Sequence, residues 1–391
     1  MSNHLMPTYK SLPVSFNRGE GIYVWDNDGN QYLDALCGIS VTSLGHCHPE
    51  VTRAITEQAS RILHTSNIYH IDNQAKLADL LCELSGMEQV FFSNSGAEAN
   101  EAAIKIARLY GHQQGIDKPE IVVMENSFHG RTMATLSATG NRKIQAGFEP
   151  LVTGFVRAPF NDIDALNVIA QNNRNVVAVL VEPVQGEGGI NIPDPGYLKS
   201  IREICDQHGW LMMLDEIQTG MARSGKMFAF QHEAIKPDVL TLAKALGNGI
   251  PVGACLASGK AQNVFQPGNH GSTFGGNPFA CHVAHTVVSV MKAQNIAQNA
   301  ELRGQQLVDY LKQHLDENED VINIRHLGLL VGITLSQSCA NLVGIALKNR
   351  LLINVTADSV IRILPPLIID EQQTIELADR LIRSIKEFTQ T

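Results

Sequence analysis

Lys244 closes an apolar run, Val239 to Ala243, and opens the small-residue turn Ala245-Leu246-Gly247-Asn248-Gly249. A lysine so placed either snorkels to the surface or sits in a desolvated pocket, where burial lowers its pKa and turns the amine into a nucleophile toward carbonyls. Asp215 ends a second apolar run, Trp210 to Leu214. A carboxylate delivered to the end of a buried strand needs a cation or a strong donor. The protonated nitrogen of a pyridine ring is one such cation, and pairing it with Asp keeps the ring an electron sink. A helix cap or a buried salt bridge would satisfy Asp215 equally. Gln218, just downstream, could donate to a hydroxyl oxygen on the same ring.

Three further segments carry groups that a phosphorylated, aromatic ligand would need. Ser93-Asn94-Ser95-Gly96-Ala97-Glu98 follows a short strand, Val90 to Phe92, and opens a helix with Ser95 and Glu98 at capping-box spacing. Its small residues leave backbone N–H groups free for a phosphate, although any capped helix carries the same signature. Phe128-His129-Gly130-Arg131 combines a ring that could lie on an aromatic cofactor with a planar fork that could clamp a carboxylate. A core aromatic and a surface arginine would look the same. Gly271-Ser272-Thr273-Phe274-Gly275-Gly276-Asn277-Pro278 is a second hydroxyl-bearing loop suited to phosphate. Singly, none of these segments decides anything.

Bringing them together requires a framework whose strand ends converge. Ile121 to Met124, Val176 to Val181 and Trp210 to Leu214 are continuously apolar, the pattern of strands covered on both faces in a mainly parallel sheet. They alternate with helical patterns, which predicts an α/β fold with the ligand beyond the carboxyl ends of the strands. Asp26-Asn27-Asp28-Gly29 reads as a hairpin turn. From about Phe279 a helical run, Ala280 to Met291, leads into an α+β region that ends in an amphipathic helix. The expected organisation is an N-terminal segment (1–58) packing with a C-terminal small domain (279–391), and a large domain (59–278) between them.

Bulk properties exclude several function classes. The 391 residues carry a net charge of -9 with no basic run, which argues against a nucleic-acid partner. The apolar stretches are far too short to span a bilayer. Met1 to Lys10 shows no leader pattern. Seven cysteines, at 37, 47, 82, 205, 255, 281 and 339, form no CxxC pair, which suits a reducing cytoplasm. His46-Cys47-His48 has poor geometry for a metal and reads as a structural loop.

Together and in this order, these segments resemble the class III aminotransferases of fold type I, along nearly the whole chain. The likeness includes Gly19-Glu20-Gly21 with Tyr23 to Gly29, Gly45-His46-Cys47-His48-Pro49 and Phe128 to Thr132. It continues through Glu182-Pro183-Val184-Gln185-Gly186-Glu187-Gly188-Gly189, Asp215 to Gly220 and the Lys244 segment. His64 to His70 and Pro237 to Gly253 are most similar to the branch acting on N-acetylornithine in arginine biosynthesis. The resemblance implies a large domain with a mainly parallel seven-stranded-type sheet, a smaller α+β domain and pyridoxal 5'-phosphate as cofactor. Lys244 would bind that cofactor covalently and shuttle a proton. Asp215 would pair with the ring nitrogen, Gln218 would contact the ring hydroxyl and Phe128 would stack on the ring. Gly96 and Ala97 would bind the phosphate. Thr273, with Ser272 nearby, would reach it from the other subunit of a homodimer. Arg131 would take the distal carboxylate of the amine donor and Arg362 the α-carboxylate of glutamate or 2-oxoglutarate. Glu187 would switch, neutralising Arg362 when the donor lacks that carboxylate. Succinylornithine, N-succinyl-diaminopimelate, ornithine and 4-aminobutyrate are alternative donors; a catalytically silent interaction protein is the alternative of another class. One departure stands out: Ala222 occupies a position where many relatives carry glycine, and only local loop adjustment is expected.

Overall fold

The computed structural model describes residues 4–390, so the first three residues of the stretch inspected for a leader lie outside it. In chain order the strands are β1 (Phe16–Glu20), β2 (Tyr23–Asp26), β3 (Gln31–Asp34), β4 (Gln89–Ser93), β5 (Glu120–Met124), β6 (Phe155–Ala158), β7 (Val176–Val181) and β8 (Leu211–Asp215). They continue as β9 (Val239–Leu242), β10 (Gly253–Ala257), β11 (Val321–Leu327), β12 (Leu330–Leu335), β13 (Leu351–Leu352), β14 (Asn354–Thr356) and β15 (Val360–Ile363).

The central sheet has seven strands in the order β4-β10-β9-β8-β7-β5-β6. Strands β5 to β9 pair in parallel, while β10 runs antiparallel to both β9 and β4. The expected mainly parallel sheet is therefore present, with one reversed strand. Its continuous apolar runs follow from burial on both faces. Val122, Val179, Met212, Leu214 and Leu240 enter one core cluster, while the alternate residues Val123, Ala178, Leu180, Leu211, Met213 and Val239 enter the other. Side chains that alternate across a strand would expose every second one to water in a one-sided sheet; here helices cover both faces.

Two smaller sheets flank the large one. Asp26 accepts hydrogen bonds from the backbone of Asp28 and Asn30, at 3.0 and 2.8 Å, and closes the expected hairpin between β2 and β3. The sheet β1-β2-β3-β13 is completed by a strand from the far end of the sequence, with Leu33 opposite Leu351. The other sheet, β11-β12-β15-β14, is wholly antiparallel. The predicted helical run is the helix Pro278–Ala293, capped by Asn277, and the last helix, Glu371–Thr389, buries Leu377, Leu381 and Ile385 along one stripe.

His46 is engaged with Asp34 (Nε2 to Oδ2, 2.8 Å), and its backbone bridges to Gly21, so this loop ties β3 to the N-terminal hairpin. Ala222 adopts φ +70, a region that glycine enters freely and alanine does not. The turn nonetheless closes through Ala222 N–H to Met227 O at 3.1 Å.

Candidate active site

The loops leaving β4, β5, β7, β8 and β9 converge on a cavity of about 430 Å³. All five strands point the same way, so the cavity lies beyond their carboxyl ends. Gly96, Ala97, Phe128, Arg131, Glu187, Asp215, Gln218 and Lys244 all line it. Eight of the residues singled out from sequence thus meet around one space. Arg362 lies just behind, on β15, fully buried and in contact with Glu187. Ser272 and Thr273 are elsewhere: they line a separate surface hollow with Asn94, Lys105 and His270.

Lys244 follows β9 with φ +47, a left-handed conformation that is uncommon for a side chain of this size. Burial, reinforced by the Arg362 charge, pulls its amine below the ordinary lysine range, while Glu187, Asp215 and Glu182 pull weakly the other way. A lysine whose neutral amine is favoured in a pocket is primed to attack a carbonyl.

Asp215, 4% exposed, ends β8. Its Oδ2 accepts from Asn100 Nδ2 at 2.7 Å and lies 2.8 Å from His129 Nδ1, and its Oδ1 accepts from Ile217 N–H at 3.1 Å. Thr241 Oγ1 donates to Asn100 Oδ1 at 2.8 Å, which fixes the amide so that its nitrogen faces the carboxylate. The carboxylate accepts, so His129 donates from Nδ1; its Nε2, buried, has no partner.

Glu182 lines the cavity after β7, as Asp215 does after β8. It accepts from Phe128 N–H at 3.0 Å and Gly186 N–H at 3.2 Å, joining the loop that carries Phe128 to the loop that carries Glu187. Burial, with the Asp215 charge adding to it against the pull of His129, pushes its carboxyl up to about 7. Gln218 Oε1 is buried without a partner, and a Cβ at Gly186 would lie 2.2 Å from that oxygen. Only glycine lets the two loops approach this closely.

At the phosphate-type corner, Ser95 caps the helix Gly96–Gln113, accepting from Glu98 N–H at 3.2 Å, and Glu98 accepts from Asn94 N–H at 2.6 Å. Only half of the expected capping box is formed, since the Glu98 carboxylate turns to Asn94 N–H instead of Ser95 N–H, and the N–H groups of the first helical turn have no partner within the helix. Arg131 is exposed, its guanidinium 5.6 Å from the Phe128 ring centre. Arg362 donates from Nη1 to Glu187 Oε1 (2.5 Å) and from Nε to Asn354 Oδ1 (3.1 Å), while Nη2 is buried with no partner.

His129, Asn100 and Glu182 escaped the sequence reading as functional residues. Glu182 carried the signal that singled out Asp215, an acid at the end of a continuously apolar strand. Asn100 is a polar residue in an alanine-rich helical stretch, and only the structure shows what it faces.

The comparisons with known proteins agree with this geometry. The sequence model of the family "Aminotransferase class-III" matches residues 5–385. The chain is 58% identical, over 93% of both lengths, to acetylornithine aminotransferase of Nitrosomonas europaea. It is 47% identical, over 99% of both, to acetylornithine aminotransferase 1 of Bordetella bronchiseptica. Among solved structures, ornithine aminotransferase of Toxoplasma gondii ME49 superimposes with a TM-score of 0.95 at 36% identity, over 98% of this chain and 93% of that one. Acetylornithine aminotransferase of Elizabethkingia anophelis gives 0.89 at 36% identity, over 98% and 97%. A matched family model over nearly the full length, on a fold whose strand ends gather a half-buried lysine, a buried acid and a helix start of small residues, makes the chain a member of the class III aminotransferases, enzymes that work with pyridoxal phosphate.

Proposed function

We propose that this enzyme moves the δ-amino group of N-acetyl-L-ornithine to 2-oxoglutarate, giving N-acetyl-L-glutamate 5-semialdehyde and L-glutamate. The relatives at 58% and 47% identity that carry the acetylornithine name support this donor. The observation that carries the reading is the buried Arg362, paired through one nitrogen with Glu187 and unpartnered at Nη2. Such an arginine can take a carboxylate when Glu187 leaves and accept a donor without one when Glu187 stays. An arginine left unpaired in the pocket would penalise that donor.

The residues present fit the cofactor. Gln218 Oε1 is orphaned, Gly96 and Ala97 at the start of the capped helix line the cavity, and Asp215 is held ready for a cation. Bound there, pyridoxal phosphate supplies a carbonyl that receives amino groups and a ring that takes up electrons. Asp215, oriented by His129 and Asn100, would hold the proton at the ring nitrogen. Phe128 would cover the ring face. Lys244 would anchor the carbonyl carbon and then serve as the base that removes a proton from the amine-bearing carbon of the donor. Arg131 would hold the donor's distal carboxylate.

We further infer a homodimer whose partner completes the site through Thr273, with Ser272 beside it. Asn67 Nδ2 donates to Ser272 O (3.2 Å) and Gly275 O (2.9 Å), so the 67–69 segment lies against this loop. Ile68, Tyr69 and Phe274 are exposed there, at 85%, 69% and 62%. Apolar patches of this kind mark interfaces. All seven cysteines are free, in keeping with a reducing, cytoplasmic setting.

One alternative donor has an observation in its favour. The ornithine aminotransferase of Toxoplasma gondii matches the fold at a TM-score of 0.95, above the 0.89 of the acetylornithine enzyme from Elizabethkingia anophelis. Backbone similarity does not read an acyl group, and identity to the acetylornithine enzymes of Nitrosomonas europaea and Bordetella bronchiseptica, 58% and 47%, is above the 36% to the Toxoplasma enzyme. Adding N-acetylornithine alone to the yellow, cofactor-loaded protein decides between them. The yellow absorbance is expected to disappear with release of the semialdehyde. A response to ornithine but not to its acetyl form would move the assignment, and no response to either would overturn it.

A further inference from the structure

Arg325, Gly332, Arg362 and Asn354 form one cross-strand row: Arg325 faces Gly332 between β11 and β12, Gly332 faces Arg362 between β12 and β15, and Arg362 faces Asn354 between β15 and β14. Directly opposed residues present their side chains on the same face, so the two arginines stand on either side of a residue without a side chain. The loop carrying Glu187 lies on this row. Arg325 Nε donates to Ile190 O at 2.7 Å, and its Nη2 donates to Gly189 O. Ile190 fills the gap at Gly332, where a Cβ would come within 2.9 Å of the Ile190 Cβ. Arg362 takes the Glu187 side chain, and Thr356 Oγ1 donates to the Glu187 carbonyl.

The loop is closed on its other side as well. Gln185 and Asn191 exchange backbone hydrogen bonds at 3.1 Å, and Asn191 Nδ2 donates to Gly188 O at 3.0 Å. Ile190 holds φ +54, a conformation that a β-branched residue keeps only where its surroundings impose it. The four carbonyls from Glu187 to Ile190 are thus each held by a side-chain donor, while the Glu187 carboxylate is held through its ion pair with Arg362.

We propose that Arg325 is a positioning residue for substrate discrimination: it locks the backbone of the 187–190 loop, so that exchange between donor and 2-oxoglutarate is a rotation of the Glu187 side chain alone. This rests on the switch role given to Glu187 above. Releasing two carbonyls from Arg325 lets the loop drift and weakens the Glu187–Arg362 pairing. The donor half-reaction, which needs that pairing, suffers, and the 2-oxoglutarate half-reaction does not.

The test is a double-mutant cycle between R325A and E187A, with kcat/KM measured separately for the two half-reactions. R325A is expected to lower donor kcat/KM roughly tenfold relative to 2-oxoglutarate, a coupling of ordinary size for residues acting through a neighbour. In the E187A background R325A should produce no further shift, and R325K, which retains the charge and one bond, should fall between. Amide hydrogen exchange of the substrate-free protein gives a readout apart from turnover: the Asn191 N–H, which closes the loop onto Gln185 O, should exchange about tenfold faster in R325A. An equal fall in both half-reactions, a shift that persists without Glu187, or unchanged exchange would each overturn the proposal. If E187A alone fails to separate the half-reactions, the switch reading falls instead, a result distinct from a silent R325A.

Discussion

His129 Nδ1 lies 2.8 Å from Asp215 Oδ2, an oxygen that also accepts from Asn100 Nδ2. The buried acid is therefore aimed by two side chains from separate elements, the loop after β5 and the helix Gly96–Gln113. Removing His129 leaves Asp215 able to swing. His129→Ala is expected to weaken pyridoxal phosphate binding about 10- to 100-fold, the loss of a hydrogen bond to a charged group worth about 1.5–3 kcal/mol. Titration of the apoprotein with the cofactor checks this; unchanged affinity would show that Asn100 and Ile217 suffice.

Lys244→Ala should keep the fold, since the side chain lines a cavity and is no part of the packed core. Turnover should fall by at least about 10³-fold with the loss of a positioned base. Circular dichroism together with an amino-transfer assay separates the two effects. Turnover close to wild type would remove Lys244 from the chemistry.

Glu187→Ala should act unequally on the two halves of the reaction. With Arg362 left buried and unpaired, the acetylornithine half is expected to slow about tenfold or more while the 2-oxoglutarate half changes little. Single-turnover measurements with each substrate alone read this directly. Equal losses would sink the switch.

Glu216 gives a pH signature in stability. Burial, with a small push from Asp215, raises its carboxyl from 4.5 to about 7, against the pull of N–H donors from Ala229 and Phe230. The folded state thus holds this proton more tightly than the unfolded chain does. The stability it adds is fully present below about pH 4.5 and is lost as pH rises to about 7. Glu216→Gln should flatten the stability curve in that window by up to about 1.4 kcal/mol per pH unit, whatever its absolute stability. Denaturant melts at several pH values check it, and parallel curves for the two proteins would refute it.

Much of this was legible in the sequence because burial leaves a mark on composition. Val176 to Val181 is a strand over its whole predicted length, since a strand covered on both faces cannot afford a polar residue. The same logic brought Asp215 and Lys244 to the cavity. The reversal of β10 was not legible: Gly253-Ala254-Cys255-Leu256-Ala257 has the apolar run of its parallel neighbours, and direction depends on the short turn that precedes it. Arg325 was invisible for another reason. Its partners in the 187–190 loop are backbone carbonyls, which no residue type announces.

The pairing of β3 with β13 joins Leu33 to Leu351. On the ribosome the hairpin of β2 and β3 is finished early, yet the edge of β3 stays open until Leu351 emerges. At about 5–20 residues per second that interval is on the order of 15–60 s. An unpaired strand edge is a template for another chain. Synthesis of this enzyme therefore passes through a long window in which nascent chains can pair with one another, and a truncation before Leu351 would make that window permanent.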